Sequence, residues 1–356
     1  MNEAFVDIYA VPRMNETRLK NLLARFETPE RILGAERSEL LETKGIDEEL
    51  ADAVTNYRRS AETTKRIRAA KAADCATLAF TDPDYPANLK ELAHMPPVLF
   101  MRGELVEADR QAAAIVGTRY PSNYGRQIAE RLGRELGQSG VTVVSGLARG
   151  ADTFAHRGAL DAGGRTVAVL GCGLDVYYPP ENRKLYDEIA EQGAVLSEFS
   201  FGTGPLAMNF PKRNRVVSGL SRVLVAVEAG EKSGVLNTVA WAQDQGRVVY
   251  AVPGNLTSPQ SIGTNRLIRE GARPLTAFDD ILAELGVAAK RAERKAVPVE
   301  ADEQPVLDFL SSEPKHIDEI CDGLGLPVSQ LLSLLLQLEL KGLVRQLPGK
   351  LFVKEI

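Results

Sequence analysis

Between about Ala112 and Val252 the chain alternates two textures. Short runs of consecutive apolar residues appear at Ala112 to Val116, Val141 to Ser145, Thr166 to Leu170, Ala194 to Leu196, Val223 to Val227 and Val248 to Val252. Runs this short and this continuous predict strands buried on both faces. Between them lie segments such as Ile128, Leu132 and Leu136, spaced so that one helix face covers a sheet. The alternation predicts a parallel sheet flanked by helices, an α/β architecture. The segment from Tyr85 to Gly103, with Leu99 and Phe100, is expected to join it as an extra edge element.

Before and after this region the period changes. From Thr17 to about Ala73 the pattern is helical, through Leu19, Leu22, Leu23, Ile32, Leu33, Leu40, Leu41, Leu50, Ala53 and Val54. Within it, Leu40 to Ile46 resembles a helix-hairpin-helix, whose turn can offer backbone amides to a phosphate. The turn leads into Asp47, Glu48 and Glu49, which repel phosphate, so packing of two helices is favoured over a grip on DNA. Residues Val287 to Asp302 are charged and lack an apolar stripe, the mark of a linker. Beyond them, helices around Val306 to Leu310, Ile317 to Leu324 and Pro327 to Lys341 precede two strand-like runs about Pro348-Gly349. Helix-turn-helix followed by a β-hairpin predicts a winged helix. The expected domains are 1–75, helical; 76–286, the sheet domain; 287–302, a linker; and 303–356, the winged helix.

Composition narrows the functions. Among 356 residues, 43 Lys and Arg face 48 Asp and Glu, a formal charge of −5. No global positive field advertises a nucleic acid, so any phosphate binding must be local. Cys75, Cys172 and Cys321 lie far apart and His94, His156 and His316 have no ligand spacing, so neither a disulfide framework nor a metal is expected. No apolar run approaches the ~20 residues of a membrane span, and the chain reads as cytoplasmic with no membrane partner.

Open α/β sheets bind ligands in the loops beyond the carboxyl ends of their strands. Those loops here are Gly117-Thr118-Arg119-Tyr120-Pro121-Ser122-Asn123-Tyr124-Gly125 and Ser145-Gly146-Leu147-Ala148-Arg149-Gly150-Ala151-Asp152. Their glycines permit close backbone approach, helix N-termini favour anions, and each loop supplies one arginine. Gly171-Cys172-Gly173 lacks the third glycine of a dinucleotide fingerprint, and no GxxxxGK[ST] occurs. After the fourth run a long excursion ends in Phe210-Pro211-Lys212-Arg213-Asn214-Arg215. An aromatic for a base and three cations for phosphates fit single-strand binding. The competing reading is a solvated helix start with one arginine capping a neighbouring carboxylate. Asp152 and His156, four apart on one helix, fit acid–base chemistry or a structural role, the latter favoured because no nucleophile accompanies them. Trp241, among Val239, Ala240 and Ala242, reads as core.

Several ordered blocks resemble the DNA-processing protein A (DprA/Smf) family: Ala114 to Arg119, Ser145 to Asp152 with His156, Phe210 to Arg215 with Ser218 to Ser221, Glu228-Ala229 with Ser233-Gly234, and Val252 to Asn255 with Gly263 to Ile268. The resemblance implies an extended Rossmann-like sheet, an N-terminal helical domain of SAM or helix-hairpin-helix type and a C-terminal winged helix. It also implies a dimer that binds single-stranded DNA and loads the RecA recombinase in natural transformation, without catalysis and without a cofactor. Carried over by position, Arg119, Arg149, Lys212, Arg213 and Arg215 lie on the DNA path, with Phe210 as stacker and Asn214 as polar partner. Gly117, Thr118, Ser145, Gly146, Ser233 and Gly234 are candidate anion-binding positions. Val235 departs from the small hydroxyl residue many members carry, which weakens the site at Ser233 and Gly234, and Asn255 and Asn265 serve equally well as turn residues. Two rivals remain: a nucleotide phosphoribohydrolase, whose PGGxGTxxE signature is missing where this chain reads Val227 to Gly234, and a winged-helix transcription factor. Against the latter, eight carboxylates face two lysines between Asp302 and Lys341. The leucine-rich helix there suits a protein or a neighbouring domain better than DNA.

Overall fold

The computed structural model describes residues 1–288 and 298–355. Six helices open the chain: α1 (Glu3–Ala10), α2 (Glu16–Phe26), α3 (Pro29–Leu33), α4 (Arg37–Leu41), α5 (Glu48–Thr55) and α6 (Ala61–Ala72). The helix α1 precedes the point where a helical period becomes readable. Side chains that prefer helix N-termini set the starts: Asn15 accepts a hydrogen bond from Arg18 N, and Asp47 one from Leu50 N. Asp47 also pairs with Arg13 and Arg18, while Arg18 and Asn21 donate to the carbonyls of Gly45 and Lys44. The α4–α5 turn is thus tied into its own domain, in line with the packing reading.

The sheet has nine strands in the order β1-β2-β6-β5-β4-β3-β7-β8-β9. They are β1 (Ala76–Ala79), β2 (Val98–Gly103), β3 (Ala112–Val116), β4 (Thr142–Ser145), β5 (Thr166–Leu170), β6 (Ala194–Ser197), β7 (Val223–Ala226), β8 (Val248–Ala251) and β9 (Arg273–Pro274). From β6 to β9 every pairing is parallel, whereas β2 is antiparallel to β1 and β6. The segment expected at the edge therefore lies one strand inside it, because Ala76–Ala79 pairs on its outer side. Neither terminal strand has a readable pattern, β1 having four residues and β9 two.

Strand residues alternate between faces as the pleat requires. Ala112, Ala114 and Val116 of β3 join one core with Val216, Val217, Leu220 and Val239, whereas Ala113 and Ile115 join another with Ile128, Leu132, Leu136 and Ala155. The covering helices are α7 (Ala87–Lys90), α8 (Asn123–Gln138), α9 (Ala151–Asp161), α10 (Arg183–Gln192), α11 (Asn209–Leu220), α12 (Val235–Asp244), α13 (Ile262–Arg269) and α14 (Asp279–Leu285). The chain leaves β3 for α8 on one face and leaves the adjacent β7 for α12 on the other. Their loops diverge, and the divergence opens a crevice. The helical front is continuous with the sheet: Val6, Ile67 and Ala70 share a core with Phe100 and Leu170, and Ala79 and Val98 share one with Leu19 and Leu50.

The tail comprises α15 (Gln304–Phe309), α16 (Ile317–Leu324), α17 (Val328–Leu340) and a three-stranded sheet of β10 (Lys315–His316), β11 (Val344–Leu347) and β12 (Leu351–Lys354) in the order β10-β12-β11. This is the expected winged helix. Most of the expected linker, residues 289–297, lies outside the described residues. The tail meets α8 through Asn123 to Ser312 O (3.1 Å), Gln127 to Lys354 O (2.9 Å) and Arg126 to Glu355 (3.3 Å). Among the described residues, no single helix is long and apolar enough to cross a membrane. The tail core, around Val306, Ile320, Leu335 and Phe352, shares no residue with the sheet cores. Removing residues 289–356 should accordingly leave one cooperative thermal transition for the remainder, with helix content reduced only by the tail; circular dichroism melts of the two chains check this.

Candidate functional site

The crevice between the β3 and β7 loops contains a cavity of about 400 Å³, lined among others by Gly117, Thr118, Arg119, Tyr120, Phe210, Arg213, Asn214, Ser233 and Gly234. One buried carboxylate sets its shape. Glu228, two residues beyond β7, accepts hydrogen bonds from Ser122 Oγ (2.6 Å) and Ser122 N (2.9 Å), and its carbonyl accepts one from Thr118 N (2.8 Å). Ser122 in turn caps α8 through Gly125 N. A carboxylate straight after an all-apolar strand was the available signal for this role, which sequence reasoning missed.

The floor is Arg213, which is 5% exposed. Its Nη1 donates to Gly146 O at 2.6 Å and to Val169 O, and its Nε to Asn214 Oδ1 at 3.3 Å. It approaches so closely that a Cβ on Gly146 would overlap the guanidinium. Arg213 is therefore no free arm for a strand's outer phosphates, contrary to expectation; it is fixed beneath the cavity beside buried Asp152. Asp152 accepts from Gly146 N (3.1 Å) and Ala148 N (3.3 Å). Burial raises its affinity for protons, opposed by Arg213 and by those amides. The expected anion site at Ser145 and Gly146 is corrected by this contact: the Gly146 amide already serves Asp152, and Ser145 Oγ donates to Ile115 O at 2.6 Å. Thr118 N is engaged by Glu228 as well. At the other wall Ser233 Oγ accepts from Val235 N at 3.3 Å, while Gly234 opens α12.

Arg215 is also 5% exposed and points away from the cavity. Its Nη2 meets Glu198 at 2.5 Å and Glu16 of the helical front at 2.7 Å. The competing reading of the basic run, a solvated helix start with one arginine on a carboxylate, fits Arg215 in its carboxylate partners but not in exposure, since Arg215 is buried. Two carboxylates sharing one guanidinium in a buried place do not both hold full charge cheaply. Burial first, and the Glu16 charge after it, push Glu198 up to about 7, with Arg215 and Lys212 opposing.

What remains exposed is Lys212, Arg119 and Arg149. Among the described residues neither Lys212 nor Arg119 has an ion-pair partner, and the Arg119 guanidinium lies 5.6 Å from the Phe210 ring centroid. Phe210 is half-buried: it tilts against Tyr178 at 5.5 Å, and a Cβ on Gly171 would come within 2.8 Å of its ring. Arg149 pairs with Glu181 through Nε and, at 3.1 Å, through Nη2. Two aromatics and a cation escaped the sequence reading: Tyr120, 77% exposed at the cavity mouth, Tyr178, and Arg183, whose guanidinium lies 4.8 Å from the Tyr177 ring centroid. The run Tyr177-Tyr178-Pro179-Pro180 beyond the third parallel strand was the signal for the last two. Asn214 sits at the lip, bonded to Asn237 at 3.1 Å.

His156 and Asp152 do not act together. His156 Nδ1 lies 2.7 Å from Thr166 Oγ1, and burial lowers the ring to about 3, so it is neutral at ordinary pH. Asn265 bonds Gly254 N and O, and Asn255 bonds Thr257, so both hold the loop after β8. Trp241 is half-buried, edge-on to His94 at 5.9 Å. Among the described residues, no group of His, Cys, Asp and Glu could hold a metal, and the three cysteines are free and buried.

Residues 76–286 match the family model for DNA recombination-mediator protein A, and residues 288–350 match that for the DprA winged helix domain. The chain belongs to the DprA/Smf family. Protein Smf of Synechocystis is 33% identical over 370 residues, covering 93% of each protein. DNA processing protein DprA of Streptococcus pneumoniae is 42% identical over 203 residues, 57% of this chain and 72% of that one. The X-ray structure of the pneumococcal DprA aligns with a TM-score of 0.71 at 32% identity, over 80% of this chain and 98% of that one. A structure of DNA processing protein A from Helicobacter pylori, described for its single-stranded DNA binding mode, aligns at 0.54 and 33% identity over 59% and 95%. The DprA/Smf assignment accounts for the sheet domain and the tail alike.

The Glu198 arrangement has a consequence in pH. The folded chain holds a proton that the unfolded chain releases near pH 4.5, so stability falls as pH rises from there through about 7, by at most about 1.4 kcal/mol per unit. Urea unfolding between pH 5 and 8 should show this decline, and Glu198→Gln should flatten it.

Proposed function

We propose that this DprA/Smf protein binds single-stranded DNA across the cavity mouth and, as a dimer, presents the strand to the RecA recombinase, with no turnover of its own. The observation that carries the binding is the mouth itself. Arg119, with no ion-pair partner among the described residues, stands beside the half-buried Phe210 and the exposed Tyr120, over a floor of buried Arg213 and Asp152, and exposed Lys212 follows Phe210 by two residues on α11. Bases stack on the aromatics while phosphates meet the cations, a tolerant recognition suited to any sequence. The H. pylori relative supports the ligand, and the family's description as a recombination mediator supports the hand-over. The absence of turnover is supported by the uses already found for the titratable groups: Asp152 holds a loop, and His156 is buried and neutral.

The tail fits a protein partner better than a duplex. Val328, Leu332, Leu336 and Leu340 form an exposed stripe every fourth residue along α17, and the surrounding carboxylates repel phosphate.

Binding of an oligothymidylate, followed by fluorescence anisotropy against salt, tests the reading. Each phosphate contact contributes about 0.7 to the log–log slope for single strands. Alanine at Lys212 and Arg119 should lower affinity and slope together. Phe210→Ala should cost roughly 1 to 3 kcal/mol with little change of slope, and Arg215→Ala should weaken folding rather than alter the slope. Unchanged binding in all three surface variants would remove the mouth from the site, and hydrolysis of nucleoside triphosphates or release of bases above a buffer blank would overturn the binding-only role.

Arg149 supplies a test of opposite sign. Glu181 competes with phosphate for its guanidinium, so Glu181→Gln should tighten oligothymidylate binding several-fold and steepen its salt dependence, measured by the same titration.

A further inference from the structure

At the opposite end of the sheet lies a second cavity of about 400 Å³, where β2 turns toward β3 beside the loop that enters α7. Its size falls in the range of pockets that enclose ligand groups. Leu78 and Met101 from the two antiparallel strands, Leu105 from the following turn and Leu220 from the end of α11 make an apolar wall. The rim is acidic. Glu107 is matched by Arg110 at 2.7 Å and Asp109 by Arg165 at 2.7 Å, whereas the exposed carboxylates of Asp84 and Glu104 have no ion-pair partner among the described residues, Arg165 reaching only the Glu104 backbone carbonyl. The nearby Arg247 is engaged with the carbonyls of Asn88 and Gly219, and Arg222 with Gln111.

We propose that this cavity docks a segment of a partner protein that places a lysine or arginine beside an apolar side chain. A basic side chain is itself divided this way: its methylene stem lies along apolar surface while its head seeks charge. Here the stem and its apolar neighbour meet Leu78, Met101, Leu105 and Leu220, and the head meets Asp84 and Glu104. Two uncompensated carboxylates repel a nucleic acid, so the occupant is not the strand. The cavity lies off the amino ends of the parallel strands and the cleft off their carboxyl ends, so the protein holds a peptide and a DNA strand at once without competition.

The full chain, immobilised, is panned with a phage library of random heptapeptides, and the enriched sequences are synthesised and titrated against the parent and an Asp84→Lys/Glu104→Lys variant. Both positions are exposed, and a circular dichroism melt matching the parent's confirms that the variant folds. The expected result is a set of peptides in which Lys or Arg lies within two positions of an apolar residue, each binding the parent at least ten-fold more tightly than the variant. No enrichment, enriched peptides without a cation, or equal binding to both proteins would overturn the proposal. So would a change of oligomeric state in the variant by sedimentation, which would give the cavity to a second copy, or a change in oligothymidylate affinity, which would give it to the strand.

Discussion

Arg213 enters from the second turn of α11 and donates hydrogen bonds to carbonyls at the carboxyl ends of two neighbouring strands, Gly146 after β4 and Val169 of β5. A buried guanidinium is costly unless its donors are matched, and the rest of the cleft is arranged around that matching. Gly146 must lack a side chain for the guanidinium to fit, Asp152 brings opposite charge and ties down the loop that carries Gly146, and α11 is fixed in rotation. With α11 fixed, Phe210 lies over Gly171 and Lys212 faces solvent. The opposite lip depends on a second buried charge, Glu228, whose carboxylate holds the β3 loop through Ser122. Both lips are built by charges that never reach the surface.

The same helix explains how one cationic run divides into three roles. An α-helix turns by about 100° per residue, so Arg213 and Arg215 lie about 200° apart and point to opposite sides. One becomes the cleft floor. The other clamps the helical front onto the sheet through Glu16 and Glu198. Lys212 alone keeps its charge in water. A net charge of −5 is compatible with an anionic ligand because a few uncompensated cations at one mouth suffice, while most arginines elsewhere are matched by acids.

The fold gives its two sheet ends opposite electrostatic character. Helix starts and free cations collect beyond the carboxyl ends, and unmatched acids collect around Asp84 and Glu104 at the other. The strand loops alone do not produce that second end: it needs the antiparallel pair β1 and β2, which extends the sheet past β6 and supplies Leu78 and Met101 as a wall. The segment that reads in sequence as a simple edge addition therefore makes a surface of its own.

The apolar runs by themselves determined the parallel strands, since a strand covered on both faces needs nothing but continuous apolar residues, and each of the six is present within a residue or so of its expected bounds. The winged helix followed from its short helices and hairpin in the same way. The family was legible in the blocks Ser145 to Asp152 and Phe210 to Arg215, both of which contribute residues to the cleft. Only the tertiary structure decided which members of those blocks face the cavity. Whether an arginine is a contact or a clamp depends on a carboxylate or carbonyl brought from elsewhere: Glu198 and Glu16 for Arg215, Val169 for Arg213, Glu181 for Arg149. Glu181 lies 32 residues beyond its arginine and Glu16 lies 199 before its own. Local spacing reports the period of a helix or strand, because that is set by neighbours in the chain; the partner of a charge is set by packing between distant segments, which no period records.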